Sequence, residues 1–147
     1  MNVKLLRKVQ KHILAVPERL DMDLICDKVN PEDNGAPPCG AVGCIAGWAH
    51  MLTMDKFPVT ENEFEQADND AWKEGQKKLE LDLREAERLF TEPKFYGLST
   101  LDEEDVNYQE TWPANFAKRY LNAKTAKGRA KVTSDRIDHF IKTKGRE

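Results

Sequence analysis

Between Gly40 and Met54 small residues crowd around bulky ones: Ala41, Ala46, Gly47 and Ala49 surround Ile45, Trp48 and Leu52. Read as a helix, this stretch has apolar groups pointing in every direction, so it predicts a segment buried on most sides. Its glycines let neighbouring backbones come close, at about 1 kcal/mol each in helix propensity relative to alanine. The reading therefore places a central small-residue helix over Gly40–Met54, with the other pieces leaning on it.

Those other pieces are amphipathic. Val3, Leu6, Val9, Ile13 and Val16 keep three-and-four spacing, and Pro17 stops that helix. Asn30 to Pro38 gathers nearly every turn-forming residue type and predicts a Pro/Gly-rich loop at 30–39. Residues 55–71 are acidic with poor periodicity, and predict a solvated connection. Trp72, Gln76 and Leu79 suggest a short helix. Asp82-Leu83-Arg84-Glu85 has the form of a capping box opening a helix with Ala86, Leu89 and Phe90, and Thr100 to Glu103 repeats that pattern. Pro113 suits the first position of a helix with Phe116, Tyr120 and Leu121 on one face. A last helix over about 126–143 points Ala130, Thr133, Ile137, Phe140 and Ile141 inward and ends at Gly145. Residues 20–25 are left irregular. The sum is an all-α or nearly all-α chain: one domain over 1–147, a compact bundle of five or six helices.

Length and charge narrow the setting. The chain has 147 residues, of which 33% are charged, and its longest apolar run, Ala41 to Ala49, falls well short of the roughly 20 residues that cross a bilayer. The first residues lack the apolar block of an export signal, and Cys26, Cys39 and Cys44 show no framework spacing. Reduced thiols and a cytoplasmic location are expected. Charge is unevenly spread: residues 55–110 carry seven basic and seventeen acidic side chains, whereas residues 111–147 carry ten basic and three acidic.

Three constellations carry candidate chemistry. Cys44, near a predicted helix start, would feel unpaired backbone N–H groups that favour thiolate and suit a nucleophile. Of the possible bases His12, His50 and His139, His50 lies about 240° around a common helix from Cys44, and His139, beside Asp138 on the last helix, is the better candidate partner. The competing reading is a small buried thiol chosen for close packing. Cys26, Cys39, Cys44 and His50 lack the paired spacing of a zinc site, so no metal is assigned. Lys124, Lys127, Arg129, Lys131 and Arg136 form the candidate basic face, able to track an acidic partner or phosphates. No nucleotide-loop, dinucleotide or metalloprotease motif is present in the chain, and no cofactor is assigned. Trp48, Trp72, Trp112, Phe116 and Tyr120 read as core.

Cys39-Gly40 followed by Cys44-Ile45-Ala46-Gly47-Trp48-Ala49, then Ala86 with Leu89-Phe90, Trp112-Pro113 and Arg136 to Ile141, stand in an order that resembles small uncharacterised proteins encoded in bacterial and bacteriophage genomes. The resemblance implies a bacterial or phage origin and no particular activity. The function expected from the residues is non-catalytic binding of another macromolecule, a protein before a nucleic acid. A cysteine-dependent hydrolase or transferase, and a nucleic-acid-associated regulator using the basic last helix, are the alternatives.

Overall fold

The computed structural model describes residues 1–22, 26–28, 41–55, 58, 60–91 and 112–146. These contain α1 (Val3–Ala15), a 3₁₀ turn (Pro17–Arg19), β1 (Cys26–Lys28), β2 (Ala41–Gly43), α2 (Ile45–Met51), α3 (Glu61–Leu79), α4 (Leu83–Phe90), α5 (Ala114–Leu121) and α6 (Ala126–Thr143). The fold is thus helical, as its periodicity predicts. Side chains from all six helices join one core. None of the described helices is long and apolar enough to cross a membrane. The 30–39 loop and the second capping-box pattern at Thr100–Glu103 lie outside the described residues.

The central rod is half as long as the small-residue pattern implies. Ala41–Gly43 is not helical: it pairs antiparallel with Cys26–Lys28, Val42 opposite Asp27. The chain turns at Cys44, whose backbone is extended (φ −77°, ψ −174°) and whose carbonyl accepts the first helical hydrogen bond, from Trp48 at 3.0 Å. Local propensity explains the difference. β-branched Val42 and the adjacent Gly43 are poor helix formers, so the helix begins only where Ile45 and Ala46 follow a capping position. The burial expectation holds within α2, where Ile45, Ala46, Trp48, Ala49 and Met51 are all inaccessible.

A second difference concerns the acidic connection expected at 55–71. From Glu61 onward it is the first half of α3, a helix of 19 residues. Thr60 and Glu63 form a reciprocal capping box, the Glu63 N–H donating to Thr60 Oγ1 at 3.3 Å and the Thr60 N–H to Glu63 Oε2 at 3.0 Å. Its buried stripe is Phe64, Ala67, Ala71, Gly75 and Leu79, regular in spacing but so thin that the acids around it mask the period.

Gly75 sets how closely α3 lies on α2. A Cβ at that position would stand 2.7 Å from the Ala46 carbonyl oxygen and 3.0 Å from its Cα. Both obstacles are backbone, so neither can rotate away. Gly75→Ala is therefore expected to lower stability by about 1–3 kcal/mol through overpacking, although alanine alone favours a helix by about 1 kcal/mol. Urea unfolding measures the sign; a stabilised variant would refute the close contact.

Helix α1 connects the remaining packing. Asn2 caps it, accepting from the Leu5 N–H at 3.1 Å. Leu5, Leu6, Val9 and Ile13 are buried, while Val3, placed on the inner face by spacing, stays at the surface of the first turn. α1 touches both α2 and α3, and it also packs on α6, which in turn holds α5. Asp82 and Glu85 make the capping box expected for α4. Pro113 is the cap of α5 rather than its first residue, and Leu121 faces solvent instead of sharing the face of Phe116 and Tyr120.

Candidate functional site

Cys44 occupies the helix-start position assigned to it, yet the chemistry there runs opposite to expectation. The residue is 2% exposed. Burial pushes its thiol up to about 11, against hydrogen bonding from the backbone N–H groups of Gly47 and Ala46 that favours thiolate; Asp68 adds to the rise. Desolvation outweighs these bonds because the side chain is almost wholly cut off from water, which disfavours the charged thiolate. The thiol forms no disulfide and is protonated at neutral pH. Iodoacetamide should label Cys44 in the native protein roughly 10²-fold more slowly than an exposed thiol, as read by peptide mapping, with the protection lost in urea. Rapid native labelling would contradict this placement.

His139 belongs to another part of the packing. It lies on α6 with its ring 5.2 Å from that of Phe116 in α5, whereas α2 packs chiefly against α3. The other two imidazoles are held neutral. Burial and then the Arg19 charge lower His12, whose ring lies 4.0 Å from that of Trp48. Burial lowers His50 despite the carboxylates of Glu74 and Asp70. Among the described residues no three His, Cys, Asp or Glu side chains converge as a metal site; Cys39 lies outside them.

Of the five basic residues singled out near the carboxy terminus, four are exposed and one is buried. Lys124, Lys127 and Arg129 are exposed and make no ion pair among the described residues. Lys131 is exposed but bonded to Asp135, which also receives Arg119 of α5. Partial burial raises the Asp135 carboxyl, and these two cations more than offset it, holding it below the usual carboxylate range.

Arg136 is the correction. It is wholly buried, with its guanidinium 5.8 Å from the ring of Trp112 and 5.4 Å from that of Phe140, and it donates to the Arg88 carbonyl at 3.1 Å. Helical spacing is the reason: Arg136 follows buried Val132 and Thr133 by four and three residues and precedes buried Phe140 by four, so it falls on the inner stripe. Counting charge along the tail conceals this, whereas projecting it on a helix would have revealed it.

The location of the exposed cations is unusual for stability alone. Thr125 caps α6 by accepting from the Gly128 N–H at 3.1 Å, and the first turn contains no acid. Lys127 and Arg129 therefore stand at the positive end of the helix, where a cation is disfavoured by about 0.3–1 kcal/mol. The same end is where an external anion would gain most. Comparison of the chain with protein-family models, with curated proteins and with solved structures finds no match.

Proposed function

We propose that this chain is a non-catalytic binding protein that docks an acidic protein partner on the basic start of α6. One observation carries the reading: Lys124, Lys127 and Arg129 are exposed, lack counter-charges among the described residues and gather at the helix end where they do least for folding. The buried, protonated Cys44 weighs against the thiol-enzyme alternative.

The test is capture from a native bacterial extract on the immobilised chain. At low salt a partner should be retained, released as ionic strength rises, and lost when Lys124, Lys127 and Arg129 are all changed to glutamate. Failure to retain anything across low-salt conditions, or retention indifferent to the three changes, removes the proposal.

A nucleic-acid partner is the second reading, favoured by the way α5, the four residues Asn122 to Thr125 and α6 follow one another. A short helix, a tight turn and a second helix with cations at its start is the order used for groove docking. Mixed-sequence DNA or RNA should then bind at low salt, with affinity falling steeply and linearly on a log–log salt plot.

A further inference from the structure

The end of α2 separates two surfaces of opposite charge. On one side stands the outer face of α1, where Lys4, Lys8 and Lys11 are exposed and the Lys8 ammonium reaches the Leu52 carbonyl at 2.8 Å. On the other stands the first half of α3, whose Glu63 and Asp70 border a recess of about 320 Å³ shared with His50 and Met54. We propose that these surfaces are the two halves of one contact, through which a second copy of this chain docks to form a symmetric dimer.

Charge complementarity supplies the first argument. Residues 1–15 hold four basic side chains and no acid, whereas residues 61–70 hold five acids and no base. Within one copy the two sets stay apart: among the described residues no ion pair joins α1 to the first half of α3, and Lys4, Lys8 and Lys11 take part in none. Each surface therefore keeps its own repulsion, Lys4 against Lys8 and Asp70 against Glu74, at four-residue spacing. Facing the opposite set relieves both at once.

Placement supplies the second. The basic and acidic edges flank the same helix end, so a half-turn about an axis along that end, in the plane of contact, sets each edge of one copy over the opposite edge of its partner. Such a contact is isologous and closes at two copies. Apolar surface on the midline supplies the third. Leu52 and Met54 are only partly buried, and open recesses lie on both sides of them, one over Leu5 and Thr53, the other over Met54 and Ala67. An apolar centre with a charged rim is the usual anatomy of a protein contact. Rim charges fix register and speed encounter more than they tighten binding, so a reversible dimer with a dissociation constant on the order of 10–100 μM is expected.

Sedimentation equilibrium of the full chain at low salt should show the mean mass rising from one chain towards two as concentration increases, and falling back as salt screens the rim. Lys4→Glu with Lys11→Glu, and separately Gln66→Lys with Asp70→Lys, should each weaken association at least about tenfold. Mixing the two double variants sets opposite charges on both edges again and should recover association, which a merely misfolded variant could not do. Lys127→Gln with Arg129→Gln should leave it unchanged, so the outcome does not depend on any partner held by α6. In the unaltered protein, amide NMR shifts of Thr53 and Met54 should move with concentration, a readout independent of any variant. A chain that stays monomeric up to about 1 mM, well above the expected dissociation constant, would overturn the dimer, whether or not a foreign acidic protein then binds the lysines of α1. Absence of recovery on mixing, or growth beyond two copies, would overturn the twofold contact.

Discussion

Trp48→Ala should remove about 3–5 kcal/mol of folding stability, the range for deleting a large buried aromatic. Trp48 is inaccessible, it lies 4.0 Å from the His12 ring of α1, and its Nε1 donates to the Arg19 carbonyl at 3.0 Å. One side chain thus joins α2, α1 and the turn after α1. Its loss opens a cavity and also leaves a carbonyl without its donor. Domains of this size are stable by only about 5–15 kcal/mol, so the variant should be substantially weakened or unfolded at 37 °C. Urea titration followed by far-UV circular dichroism is the suitable measurement, because it does not rely on the deleted fluorophore. A change below about 1 kcal/mol, typical of a surface position, would show that Trp48 is not the central contact.

Arg136→Ala should cost about 3–4 kcal/mol, combining a lost buried stem with a lost hydrogen bond. The guanidinium lies beside Trp112 and Phe140 and links α6 to the Arg88 carbonyl at the end of α4. Arg136→Met keeps an extended apolar stem between the rings, so it should recover the part of the loss that comes from packing. Equal damage from both substitutions would assign the whole effect to the cation. No effect from either would place Arg136 on the surface, as its charge alone suggests. Thermal unfolding of the two variants side by side distinguishes these results.

The helices that could be read in the sequence are those whose apolar residues are large and regularly spaced. Leu6, Val9 and Ile13 mark α1, Ala86 and Leu89 mark α4, and Ile137 and Phe140 mark α6, each next to a recognisable cap or stop. The first half of α3 is hard to read because Phe64, Ala67 and Ala71 are its only fully buried side chains among the described residues, a weak stripe between acids. The ribbon of β1 and β2 depends on pairing across an intervening segment, and a three-residue strand has no period to detect.

The site was less legible than the fold. Exposure of Lys127 and Arg129 follows from their helical positions, and burial of Arg136 follows from the same rule when it is applied to charges as strictly as to hydrophobes. Cys44 shows a different limit: its place at a helix start was visible, but thiol acidity depends on the surrounding layers, and those are tertiary.

Because α1 contacts α2, α3 and α6 alike, the opening of its three to four turns would expose interior surface on all three of these neighbours at once. The earliest stretch of the chain consequently acts as a shared hinge pin, making loss of order in the middle and terminal helices a single event instead of two successive ones.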